Sequence, residues 1–182
     1  MKKLLSIIAV VAIVAVAASS AFATSPLRSV GVEAGYVSAD LGGIENNNTW
    51  VAGIFADFGL PMTNMYINPF VNYWNYTESQ NSVDASFRDI SVGANMKWTI
   101  PTSAVRFQPF LAAGVAVHML NASAEDAGVS LFDQGDTKFG FQGGAGFKVG
   151  VSQSTSIVGS GWYNNVENAD NWSVRGGLAW NL

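Results

Sequence analysis

The chain has 182 residues, no cysteine, a net charge of −4 and 12% charged residues, about half the usual ~25% for a soluble domain. The missing cysteines exclude a disulfide scaffold, and the acidic balance argues against nucleic acid as a partner.

Lys2 and Lys3 precede an apolar run from Leu4 to Ala18, and Ala21-Phe22-Ala23 offers a small-residue cleavage site. That layout predicts a cleaved secretory signal peptide over residues 1–23 and one mature domain over 24–182. The mature chain then carries 7 basic and 13 acidic residues. No later segment approaches the ~20 apolar residues that a transmembrane helix needs.

The mature chain alternates instead. From Arg88 to Ile100 one face carries Ile90, Val92, Ala94, Met96, Trp98 and Ile100, and the other Asp89, Ser91, Gly93, Asn95, Lys97 and Thr99. Period two is the signature of a strand with unlike faces. Comparable runs predict strands near 29–40, 49–60, 66–77, 86–99, 105–119, 137–149, 154–165 and 171–182. Short connections (61–65, 100–104, 150–153) alternate with longer or more polar ones (41–48, 78–85, 120–136, 166–170). An exported, charge-poor chain with this rhythm predicts an all-β, eight-stranded antiparallel up-and-down transmembrane barrel. An internal echo gives the same strand number: Leu60-Pro61 and Asn68-Pro69-Phe70 return forty residues later as Ile100-Pro101 and Gln108-Pro109-Phe110.

Alternation alone does not say which face is outside, because a soluble barrel could turn its apolar face inward around a ligand. Aromatics decide it. On the apolar face Trp50, Tyr73, Phe139, Tyr163 and Trp172 fall toward the long-loop ends, and Phe58, Trp98, Phe107, Phe147 and Trp180 toward the short-turn ends. Two aromatic girdles around an aliphatic band are expected of a wall facing lipid. The opposite face pairs Glu33, Asp57 and Asp89 with Lys97, Arg106, Lys138, Lys148 and Arg175 as candidate ion pairs in a packed lumen. Phe70, Trp74, Tyr76 and Phe110 also point inward, filling a barrel of this size.

The chain closes on Arg175-Gly176-Gly177-Leu178-Ala179-Trp180-Asn181-Leu182. Arg175, Gly177, Trp180 and Leu182 resemble the C-terminal assembly signal of bacterial outer-membrane barrels, with Leu where that family usually has Phe. Gln108–Ala116 and Phe141–Phe147 resemble the Gly/aromatic strands of small OmpA-like, OmpX-like and opacity-type barrels. The resemblance implies the outer membrane of a Gram-negative-type bacterium. The implied surroundings are outer-membrane lipid, lipopolysaccharide and the barrel assembly machinery. It covers the barrel alone, so no wall-anchoring role comes with it.

Chemistry is sparse. His118 is the single histidine, and Leu120 stands where a His-x-Ser arrangement would need its serine. A histidine without a local partner reads as structural, although a distant Ser or Asp could converge on it. Asp133-Gln134-Gly135-Asp136 reads as a turn, lacking the ligand spacing of a calcium loop. Ten of the 13 acidic residues lie in or beside the long connections, giving either a solvated rim or one that holds divalent cations against lipopolysaccharide phosphates. The 120–136 connection carries Val129, Leu131 and Phe132 as candidate contacts for a surface ligand. The expectation is a monomeric, cofactor-free, non-enzymatic barrel with a structural or surface-interaction role. A lipid-modifying enzyme of the same fold and a narrow ion or solute channel are the alternatives.

Overall fold

A computed structural model describes residues 27–39, 47–80, 83–104, 106–126, 129–167 and 169–182, with backbone alone at 47, 78–80, 83–84, 124–126 and 129–134. The predicted signal peptide, and the acidic residues Asp40 and Glu45, lie outside the described residues. Eight strands form: β1 (Leu27–Ala39), β2 (Asn47–Gly59), β3 (Met65–Gln80), β4 (Val83–Thr99), β5 (Phe107–Asp126), β6 (Val129–Gly150), β7 (Thr155–Val166) and β8 (Asn171–Asn181). Each pairs antiparallel with the next, and β8 returns to β1 to close the barrel. Closure leaves no free sheet edge along the barrel wall, which a lipid-facing sheet requires.

Two predicted connections prove to be mostly strand. The 78–85 segment is paired up to Gln80–Val83, and the 120–136 segment up to Asp126–Val129. Their sequences hid this because neither segment keeps the apolar/polar alternation that marks a strand with two unlike faces.

The repeated Leu/Ile-Pro pairs mark the short-turn end. After β2 the chain bends through Pro61, Asn64 takes the left-handed conformation at φ 64°, and Leu60 N–H donates to the Met65 carbonyl at 2.9 Å. After β4 the Ile100 N–H donates to the Pro109 carbonyl at 2.8 Å. The third turn is held by Ser152, whose Oγ accepts from the Thr155 N–H at 3.0 Å.

The barrel interior is filled by rings. Phe55, Phe70, Phe110 and Trp162 are buried with Ala112, Ala116, Val158 and Ala179. Each ring lies over the glycine directly opposite it on a neighbouring strand: Phe55 over Gly31, Phe70 over Gly93, Phe110 over Gly146 and Trp162 over Gly144. A Cβ on Gly146 would come 2.6 Å from Cζ of Phe110. This cross-strand Gly/aromatic pairing is the physical content of the repeated Gly/aromatic strands: the glycine opens the space that its partner's ring occupies. A second cluster, Val37, Ala39, Val51 and Trp74 with Tyr76 and Phe87 against it, fills the long-connection end.

Candidate functional site

The polar residues inside the barrel include two connected groups and one ion pair. Nearest the short turns, the Asp57 carboxylate accepts from Lys97 Nζ at 3.0 Å, Ser29 Oγ at 2.9 Å and Asn68 Nδ2 at 2.9 Å. Asn95 Nδ2 donates to Asn68 Oδ1 at 3.2 Å, and Gln142 donates in turn to Asn95. One chain of hydrogen bonds therefore links β1, β2, β3, β4 and β6. Lys97 also lies 4.5 Å from the centre of the Phe110 ring, a position in which the ring's electron density faces the cation.

Beside the ring layer, Arg175 Nη1 meets Glu33 at 2.7 Å, and its Nε donates to Ser173 Oγ at 3.0 Å. Higher still, Asp89 Oδ2 lies 2.8 Å from His118 Nδ1 and accepts from Trp74 Nε1 at 3.1 Å. Asp89 and His118 are both almost fully buried, and Asp89 Oδ1 has no partner among the described residues. His118 thus has a partner that a local search of the sequence does not find, two register positions away diagonally on β4. Its buried ring on the lumen side is held away from the lipid face.

The other candidate ion-pair residues lie elsewhere. Arg106 is exposed in the turn before β5, so it is no lumen residue: β5 begins at Phe107, one position after it. Lys138 sits at the outer rim, 3.2 Å from Asp136 and 3.1 Å from Glu167. The hydrogen bond from Lys138, and then that from the Thr137 N–H, holds the Asp136 carboxyl below the usual range, while Glu167 and then Asp136 raise the Lys138 ammonium. Lys148 is half-buried near the short turns and belongs to none of the ion pairs among the described residues. Sequence reasoning missed Ser29, Asn68, Asn95 and Gln142, although all four share the inward parity of Asp57 and Lys97.

Nine of the ten girdle residues stand outward, with exposure from 41% at Phe107 to 76% at Trp50. Phe58 is only half-exposed. The structure adds Tyr36, 6.1 Å from Trp172 between ring centres, and Phe141, edge-on to Phe139 at 5.2 Å. Between the belts lie Ala52, Ile54, Ala94, Ala113 and Val115, while Val92 is covered by its cross-strand neighbours Val71 and Val117. Of the assembly-signal residues, Arg175 points inward, and Trp180 and Leu182 are exposed. Gly177 packs so closely that a Cβ would strike the Val32 carbonyl oxygen.

At the rim, Asp170 closes the β7–β8 connection by accepting from the Val166 N–H at 2.8 Å and Tyr163 hydroxyl at 3.1 Å. Asp136 and Glu167 are engaged by Lys138. The side chains of Glu78, Asp84, Glu125, Asp126 and Asp133 lie outside the described residues, as do those of Val129, Leu131 and Phe132, whose backbone is part of β6. No cluster of three or more His, Cys, Asp or Glu suited to a metal occurs among the described residues.

The family described as outer membrane protein beta-barrel domain matches residues 8–181. No curated protein sequence matches. Among solved structures, Neisserial surface protein A superposes with a TM-score of 0.67 at 16% identity, covering 85% of this chain and 96% of that one. A major outer membrane protein from Thermus thermophilus gives 0.62 at 9% identity, over 85% and 99% of the two chains. Ail, the attachment invasion locus protein of Yersinia pestis, gives 0.54 at 14% identity over 85% and 99%. These likenesses are likenesses of fold.

Proposed function

The chain belongs to the outer membrane protein β-barrel family, and on that premise we propose that it is a non-enzymatic surface-interaction protein whose working part is an asymmetric crown on the barrel. The observation that carries this is the length of β3 to β6. Past the Val117–Phe139 pair at the outer girdle, β5 and β6 stay in register for seven further pairs, to Ala124–Phe132, and after a bulge pair twice more, to Asp126–Val129. At ~3.3 Å per residue that ribbon runs on the order of 30 Å along its strands beyond the girdle. Among the described residues the facing strands are paired only to lower levels, β1 and β2 to Ala39–Asn47 and β7 and β8 to Asn164–Asn171. A one-sided wall of paired backbone is a rigid platform, and rigid platforms at loop ends are where recognition is commonly placed.

The filled interior supports this reading over transport. Between Phe55, Phe70, Phe110 and Trp162 the free space is about 20 Å³, room for about one water molecule. The burial of His118 against Asp89 supports a structural rather than a lipid-editing role. Export with signal-peptide removal and assembly as a monomer complete the proposal.

The test is a trimmed β5–β6 hairpin lacking residues 122–133, expressed beside the full chain. The trimmed barrel is expected to fold, migrate heat-modifiably and lose binding to extracellular matrix or host-cell surfaces shown by the full chain. The lipid A profile is expected to be the same with either chain. Undiminished surface binding by the trimmed barrel, or a lipid A profile altered by the full chain, would overturn the reading.

A further inference from the structure

The barrel end that carries the short turns opens into a cavity of about 400 Å³, within the ~300–1,000 Å³ common for small-ligand sites. Its wall is unbalanced in charge. Arg28, Lys97 and Lys148 line it, against Asp57 as the one carboxylate among the described lining residues. Asp57 is already engaged by Lys97, Ser29 and Asn68. Neutral donors complete the wall, including the Tyr66 hydroxyl and the Gln108 amide.

A half-buried lysine without an ion pair is costly unless something anionic or polar answers it. Lys148 is such a lysine. The aliphatic part of Arg28 runs across Gly59, where a Cβ would lie 3.4 Å from Arg28 Cγ and 3.1 Å from Nε. The missing side chain there lets the arginine lie flat along the mouth. Among the described residues two cations thus remain after Asp57 neutralises Lys97, at the open end of a cavity whose floor is the aromatic layer at Phe110.

We propose that this vestibule is a phosphate-binding site, in which Arg28 and Lys148 grip a phosphate group from a small solute or from a phospholipid headgroup. A phosphate monoester carries about −1.5 to −2 at neutral pH and a phospholipid diester a single negative charge; either presents strong acceptor oxygens to two cations that have no ion pair among the described residues and to the neutral donors beside them. Arginine supplies a planar fork for two oxygens, and lysine a point charge. The aromatic floor makes the site a dead end, so it binds and does not conduct.

The experiment uses the mature chain folded in dodecyl-maltoside micelles, which contain no phosphate, titrated with inorganic phosphate and followed by amide chemical shifts. Saturable shifts are expected at Ser29, Tyr66, Gln108 and Lys148, with affinity falling about tenfold in Lys148→Gln. Arg28→Gln, at an exposed position where folding is undisturbed, is expected to do the same, and the rim variant Lys138→Gln to leave binding unchanged. A second arm places the protein in phosphatidylglycerol bilayers. Loss of free-phosphate binding there assigns the site to the lipid headgroup, and its persistence assigns it to a soluble phosphate. Absence of saturable shifts at the mouth, or equal affinity in the wild type and in folded Arg28→Gln, would overturn the proposal.

Discussion

Replacing Asp57 by Asn removes one charge from the best-connected ion in the barrel and changes almost nothing in shape. In the native protein its carboxylate takes Lys97 at 3.0 Å to both oxygens, with Ser29 and Asn68 each at 2.9 Å. The two side chains are only 6–7% exposed. Breaking such a pair by neutralising one partner costs about 3–5 kcal/mol, because the remaining ion is left buried without its counter-charge. An amide oxygen still accepts from Lys97, and the Phe110 ring still faces it at 4.5 Å. The vestibule beneath admits water. Those three effects place Asp57→Asn at the low end, about 3 kcal/mol. The double variant Asp57→Asn/Lys97→Met removes both charges and is expected to recover to within about 1 kcal/mol of the native protein, since an apolar replacement needs no partner. The assay is urea unfolding in lipid vesicles, read from the heat-modifiable fraction and extrapolated linearly. A single variant within about 0.5 kcal/mol of the native protein, or a double variant no better than the single, would refute the claim that this pair is buried and mutually dependent.

Gly146→Ala is expected to cost about 1–3 kcal/mol by overpacking, since the new methyl would meet the Gly159 carbonyl oxygen and lie 2.6 Å from Phe110 Cζ; an unchanged urea midpoint would show that both the β7 backbone and the ring give way. At the rim, the lowered Asp136 carboxyl means that its stabilising contact is present above the ordinary carboxylate range and is lost only as pH falls through the lowered value. Carboxyl carbon shifts in an NMR titration should show Asp136 protonating below an ordinary aspartate, and Lys138→Gln should move it back toward the usual range, the part due to the Thr137 N–H remaining. The Phe70→Ala/Phe110→Ala variant is expected to conduct ions in planar bilayers more readily than the wild type; equal conductance would show that the rings do not close the lumen.

How much of this was legible in the sequence depends on which forces impose a pattern on side chains. Where strands cross between lipid and a polar interior, every second residue is constrained, and the alternation from Arg88 to Ile100 reads directly as β4. The girdle aromatics and the proline-marked turns are legible for the same reason: each answers to a boundary or a backbone geometry that recurs. Where β5 and β6 run on past the outer girdle, residues 120–123 are half-buried on both faces alike, and no alternation survives in 120–136 to mark it as strand. The lumen charges could be assigned to a face but not to partners. His118 meets Asp89 across 29 residues because of the β4–β5 register, and alternation assigns a face to each residue without fixing that register. Arg106 was misplaced by one residue of strand boundary, enough to move it from the interior to a turn. The Asn68–Asn95–Gln142 chain was missed because amides carry no charge to be balanced, though their inward parity was readable.

Whether the aromatic face meets lipid while the Phe55–Phe70–Phe110–Trp162 layer fills the inside is decided by depth-resolved fluorescence quenching. The quenchers are lipids brominated along their chains, and the variants each keep one of the six tryptophans. Trp50 and Trp172, and Trp98 and Trp180 at the other end, should be quenched most by bromines near the headgroups, whereas Trp74 and Trp162 should be shielded at every depth. Strong quenching of Trp74 and Trp162, with Trp50 and Trp98 untouched, would mean that the barrel faces lipid with its other side.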